Sequence, residues 1–284
     1  MKRFIARHPG WAVFFAVLLV RLAAIAVGAA MRLCPTPLEH EVIVSNWLRG
    51  EGFTYFHLGT IYKSLINPFY SFLCVIIYKI MGHHYLGMLI TQTVFSGFLC
   101  VCVYHIGSLI DKPTGFTAAL LTMLHPGIAY YDLLYLHPLS MDAFFFAFVI
   151  FMFMKVRASP AVFNLVITGL ALGLQMYERG TIAFFVLPAM IWLYYFQEHR
   201  ETFMTWFKRS VLIGAIMILL VAPWTIRNYV IHKQLIPICT TISEVLWRGN
   251  NPLATGTAYS ANGTPMFFSA PMEFQNKITS LDEI

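Results

Sequence analysis

The chain has 284 residues, 58% of them hydrophobic and only 11% charged, against roughly 45–50% and 25% in soluble domains. With 25 Phe, 14 Tyr and 6 Trp, its apolar surface exceeds what one soluble core can hide, which excludes a water-soluble globule and turns much of that surface toward lipid. The net charge of +6 is scattered between apolar runs, which excludes a nucleic-acid-binding face and makes the basic residues determinants of membrane topology.

In chain order, Lys2, Arg3 and Arg7 precede the apolar run Trp11 to Met31, whose length of about 20 residues predicts an anchor rather than a cleaved signal. Further apolar runs are Tyr85 to Ile110, Phe116 to Tyr131, Leu139 to Met154, Ala161 to Met176, Thr181 to Phe196 and Ser210 to Val221. Pro68 to Met81 is shorter, opens with proline and contains Lys79. Charge parity decides its status. If it crosses, Lys112, Lys155, Arg157, Arg200, Lys208 and Arg209 all face outward; if it does not, all six are cytoplasmic, as the positive-inside rule requires. The reading is therefore an all-α polytopic bundle of about seven spans, with Pro68 to Met81 as an interfacial or re-entrant segment on the non-cytoplasmic side. A transmembrane domain then covers 1–223, including an outer loop 32–84. An outer region follows over 224–284, whose tail after Pro223, rich in Asn, Gly, Thr and Pro, favours turns and loops.

The outer face collects the ionisable residues that topology leaves unexplained. Glu39 and Glu41 follow the first span, on a segment read as a short amphipathic helix ending at the Gly50-Glu-Gly52 turn. Each admits two readings: a solvated loop carboxylate, or a partly desolvated general base. Asp142, just after His137-Pro-Leu-Ser-Met141, is either functional or, like Ser140, a cap for the helix start. Arg179 and Arg227 sit at outer ends of spans. Both suit a phosphate, while the plainer readings are headgroup contact or, for Arg179, pairing with Glu178. His57, His83 and His84 lack metal-ligand spacing, and the five cysteines show no CxxC, so neither a zinc site nor a disulfide framework is signalled.

These motifs resemble the polytopic C-type (GT-C) glycosyltransferases, specifically the protein-mannosyltransferase-like family 39, which uses polyprenyl-phosphate sugars. Glu39 before Ser45-Asn-Trp-Leu-Arg-Gly-Glu-Gly-Phe53 resembles the family's first-loop pattern, with Pro37-Leu-Glu39 in place of the usual Asp-Glu pair. Asn67-Pro-Phe-Tyr70 through Gly82, Leu124 to Tyr131, Asp142, and Gly169-Leu-Ala-Leu-Gly173 with Arg179 follow in the family's order. Ala222 to Tyr229 and Leu246 to Gly256 are similar to a subset of bacterial members, and relatives continue through further spans.

The resemblance implies sugar transfer from a polyprenyl-phosphate donor to a glycan, lipid or protein acceptor, at the outer face of a cell membrane and with inversion. It makes Glu39 and Asp142 the candidate catalytic residues, Glu39 taking the acceptor proton and Asp142 orienting the acceptor or a bound cation. Arg179 and Arg227 are to stabilise the leaving phosphate. Glu41, Lys63, His137, Asn228, Arg248 and Asn250 complete the candidate substrate-binding set, and Tyr130 and Tyr131 are expected near the prenyl groove. No cofactor is required, although acidic and His side chains on one face permit a divalent metal ion. A transporter or flippase, or a shortened inactive relative, are the rival readings; the sequence shows none of the internal repeats many transporters carry.

Overall fold

The protein, seen here as a computed structural model, is described over residues 9–57, 60–196, 201–273 and 275–276. Lys2, Arg3, Arg7, Arg200 and Ser280 to Ile284 lie outside the described residues, as does the side chain of His57. The chain is an all-α membrane bundle with one small hairpin. In order it forms α1 (Pro9–Ala30), α2 (Glu39–Leu48), β1 (Tyr55–His57), β2 (Thr60–Tyr62), α3 (Phe69–Met81), α4 (Tyr85–Gly107), α5 (Lys112–Met123), α6 (Pro126–Leu134), α7 (Leu139–Ala158), α8 (Val162–Glu178), α9 (Ala183–Phe196), α10 (Phe203–His232) and α11 (Ile242–Gly249). Four helices, α1, α4, α7 and α10, are long and apolar enough to cross a membrane, while α3, α8 and the Gly180–Phe196 helix are shorter apolar segments.

Contacts sort the helix ends into two groups. Gly10 at the start of α1 lies against His105 near the end of α4, and Lys155 near the end of α7 sits 5.3 Å over the ring of Phe151, itself beside His105. Arg157 donates to Phe196 O (2.7 Å), and Arg209 pairs with Glu201. Lys155, Arg157 and Arg209, assigned to one side by charge parity, thus gather at one end of the bundle. Both ends of α3 belong to the other end, Asn67 donating to Glu178 O (2.6 Å) and His83 bonding Glu41. α3 therefore lies across that end instead of passing through the bundle.

The apolar run Phe116 to Tyr131 is two helices, α5 and α6, not one. Pro126 opens α6; its ring cannot donate to, or fit inside, a continuing helix. The carbonyl of Met123 at the end of α5 accepts from the buried Arg21 (3.0 Å), so a guanidinium meets the negative end of the helix dipole.

α8 packs closely against α10. A Cβ on Gly169 would stand 2.7 Å from Ile216 Cβ and 2.8 Å from Ile213 O, and one on Gly173 would stand 2.7 Å from Leu220 Cδ2. Two glycines four residues apart let the backbones approach, which is how membrane helices gain packing energy when lipid is as apolar as the partner helix. Next to this seam Leu172, Ile213, Val149 and Phe153 form a buried core.

α10 continues through Pro223 to His232, where the sequence reading expected turns. Trp224, Asn228 and His232 are buried along its last turns, and their side-chain bonds hold the helix together past the proline.

Candidate active site

Asp142, in the first turn of α7, forms an ion pair with Arg179 through one oxygen (Nε–Oδ2 2.7 Å) and accepts a hydrogen bond from Gln175 Nε2 (2.7 Å) on the other. Gln175 and Glu178 lie on the buried face of α8, and Arg179 follows that helix directly, so one helix end delivers all three. Arg179 is paired with Asp142, not with Glu178 as one sequence reading allowed. Its side chain is 55% exposed against 15% for Asp142, so the guanidinium keeps open donors beside a partly desolvated carboxylate. Neither Ser140 nor Asp142 caps α7. The ring of His137 does so, its Nδ1 accepting from Leu139 N (3.1 Å).

That bond requires Nδ1 to be unprotonated, so the neutral ring carries its proton on Nε2. The His137 pKa is held below the ordinary range by burial and then by Arg179, with Glu39 and Asp142 pulling the other way. The four groups therefore share one electrostatic neighbourhood. His40, also near His137, is pushed down to about 3 by burial and by that second imidazole; its Nδ1 meets Ser71 Oγ at 2.9 Å.

Glu39 is exposed at the start of α2, where free amide groups and the positive helix end favour a carboxylate. It lines an open cavity of about 520 Å³ with Pro37, Val42, Ser45, Arg49 and Tyr55. Tyr55 is raised above its ordinary pKa by burial and by Glu39. Glu41 is occupied: Tyr78 donates to one oxygen (2.8 Å) and His83 bonds the other, tying α2 to α3.

A second cavity, about 230 Å³, opens between the starts of α7 and α9. Asp142, Gln175, Arg179 and Thr181 form its polar wall, while Ala143, Phe146, Ile182 and Phe185 form the apolar one. Polar and oily walls meet within one hollow, the surface an amphiphile needs.

The remaining candidates stand elsewhere. Arg227 donates to Ser64 Oγ (2.8 Å) and Asn228 Oδ1 (2.9 Å), with its guanidinium 4.4 Å from the centre of the Trp224 ring. Asn228 is fully buried and donates to the carbonyls of Ile236 (3.1 Å) and Ile238 (3.0 Å). His232 Nε2 lies 2.8 Å from Ser64 Oγ, and Trp224 Nε1 donates to Ile238 O (2.7 Å). This knot fastens the end of α10 to the loop before α3. Lys63 is half-buried beside it. Asn250 closes α11 by donating to Leu246 O (2.8 Å), and Arg248 occupies the last turn of that helix; both stand apart from the bonds around Asp142. Tyr130 and Tyr131 pack on each other and on Tyr135. Among the described residues no three His, Cys, Asp or Glu side chains converge as a metal site needs.

Two participants, Gln92 and Gln175, escaped the sequence reading. Gln92 is a fully buried polar residue in the middle of an apolar run. Its Oε1 accepts from Tyr70 OH (2.6 Å) and His137 N (3.2 Å), and its Nε2 donates to Tyr135 O (3.0 Å). It thereby holds the turn that carries His137. Gln175 and Glu178 extend the i, i+3 face that begins with Gly169 and Leu172, a spacing present in the sequence.

The description dolichyl-phosphate-mannose-protein mannosyltransferase belongs to a family model that matches residues 66–226, more than half of the chain. The chain belongs to this family. It is a membrane glycosyltransferase of the GT-C type, mannosyltransferase-like. The matched segment contains His137, Asp142, Gln175 and Arg179, whereas Glu39 precedes it and Arg227 follows it. No curated protein and no solved structure matches the chain.

Proposed function

We propose that the chain transfers a sugar from a polyprenyl-phosphate donor to a glycan, lipid or protein acceptor at the non-cytoplasmic membrane surface. The observation that carries this reading is the Asp142–Arg179 pair on the polar wall of a hollow whose other wall is Phe146, Ile182 and Phe185. A lipid-linked phosphate needs that combination: a planar guanidinium for the phosphate oxygens and an apolar surface for the first prenyl units.

In this reading Arg179 meets the phosphate, whose negative charge grows as the sugar–oxygen bond lengthens, so its hydrogen bonds strengthen toward the transition state. Glu39 receives the acceptor's proton as the acceptor oxygen attacks the anomeric carbon. Asp142 fixes the guanidinium, since its second oxygen is itself held by Gln175. One displacement, with the base and the leaving group on opposite faces of the sugar, gives inversion. Glu41, with both oxygens bonded, and Arg227, stacked on Trp224, serve the fold.

The test is transfer of labelled mannose from a polyprenyl-phosphate mannose pool by purified full-length protein. Glu39→Gln is expected to lose about 100-fold or more of the rate with an unchanged melting temperature. A folded Glu39→Gln protein as active as wild type contradicts the role of Glu39, and a wild type that moves the donor without cleaving it favours a flippase.

A further inference from the structure

Glu178 has no part in the chemistry above, yet it is a deeply buried carboxylate at this end of the bundle. The residue is 6% exposed, and its Oε1 is sequestered from solvent without a hydrogen-bond partner. Its backbone carbonyl accepts from Asn67 Nδ2 (2.6 Å), which ties the end of α8 to the loop before α3. The neighbouring guanidinium gives its Nε to Asp142 instead. A buried carboxylate lacking both a donor on one oxygen and a paired cation is costly when charged and far less so when protonated.

The titratable groups facing Glu178 are Asp142 on α7, Tyr70 and Cys74 on α3, and Arg179 next in the chain. Only Arg179 favours a charged Glu178. The corner Tyr177 to Gly180 lies beyond the apolar run Ala161 to Met176. There, burial and then the Asp142 carboxylate hold Glu178 well above the ordinary carboxylate range, with Arg179 opposing.

We propose that Glu178 governs whether Arg179 is available to an anionic donor: as a neutral acid it leaves the guanidinium to Asp142 and the cavity, and once ionised it competes for it. The inference rests on the reading of Arg179 as the phosphate contact. The proton lost from Glu178 as pH rises passes to solvent, and no bond in the donor is involved. Glu178 touches no substrate; it is a positioning residue acting through Arg179. The consequence is a donor affinity that falls as pH rises, in a range where Arg179 keeps its charge.

The experiment is equilibrium binding of farnesyl methyl phosphate to the full chain in lipid nanodiscs, from pH ~7 to ~9.5. This phosphodiester carries one negative charge throughout, so any pH dependence belongs to the protein. Wild-type affinity is expected to fall by about tenfold or more across the range, and Glu178→Gln, which mimics the neutral acid, is expected to remove that fall. A Glu178→Gln protein that follows the wild-type curve, or a flat wild-type curve, overturns the inference and leaves the lipid-phosphate reading standing. No binding by either protein at any pH overturns both. Infrared difference spectra of wild type alone guard against a variant that does not fold. The carbonyl stretch of a buried protonated carboxyl is expected at the low-pH end of the affinity curve and is expected to bleach along it; its absence also overturns the inference.

Discussion

The ends of α8 and α10 each present an arginine, and in sequence the two look equivalent. In the structure they differ in what their neighbours leave unused. Around Asn228 the polar groups are consumed: Ser64, Arg227, His232, Trp224 and the carbonyls of Ile236 and Ile238 bond to one another. Around Asp142 they are not, since Arg179 pairs with the carboxylate through Nε while its side chain stays largely exposed, and Glu178 keeps a buried oxygen without a partner. Saturated polar clusters fix a fold, whereas clusters with spare donors beside a cavity bind ligands. An arginine at the end of a span is therefore no signal of phosphate binding until its partners are known.

The comparison is sharpened most by disabling the unsaturated cluster. Asp142→Asn removes the charge that aims Arg179, and kcat/KM for the lipid donor is expected to fall by about 100-fold, with the melting temperature in detergent within a few degrees of wild type. A comparable loss of stability instead makes Asp142 structural and erases the distinction. In the saturated cluster the effect belongs to the fold. Asn228→Ala strands Ser64 and two carbonyls and is expected to cost about 2–4 kcal/mol of stability, read from denaturant or thermal unfolding.

The seam that sets the two clusters side by side gives a smaller effect. Gly169→Val drives carbon into Ile216 and the Ile213 carbonyl and is expected to destabilise by about 1–3 kcal/mol. If α8 and α10 adjust without loss, their approach is not fixed by the glycines. A further effect appears with acid. His40, held at about 3 in the folded chain, has a depressed pKa, so its contribution to stability is present above the unfolded value of about 6.5 and is lost as pH falls toward 3. A melting temperature that declines from pH ~7 to ~4, and declines less in His40→Asn, is the expected result.

Much of this architecture was legible. Composition fixed the solvent, and charge parity assigned α3 a place across one end, because a basic residue's side of the membrane follows from where its helix starts and stops. Pro126 carries the signal for the break between α5 and α6, which the reading of Phe116 to Tyr131 as one run passed over. Pro223 misled for a physical reason: its local cost of about 3 kcal/mol is offset by Trp224 and Asn228 bonding the loop at Ile236 and Ile238, contacts between segments that sequence spacing does not reveal. The Asp142–Arg179 pairing was hidden in the same way, since Glu178 is the nearer carboxylate along the chain but its side chain follows the buried face of α8. Gln92 was readable as a polar residue within an apolar run; its part in seating His137 was not, because four separate segments meet there.

The most direct test of this account sets Arg179→Gln beside Arg227→Gln, measuring donor affinity and melting temperature on the same preparations. Arg179→Gln is expected to weaken binding of a polyprenyl-phosphate donor by about 30-fold or more with little change in melting temperature. Arg227→Gln is expected to melt several degrees lower, its folded fraction binding donor as wild type does. The reverse pattern, with affinity lost at Arg227 and kept at Arg179, contradicts the account.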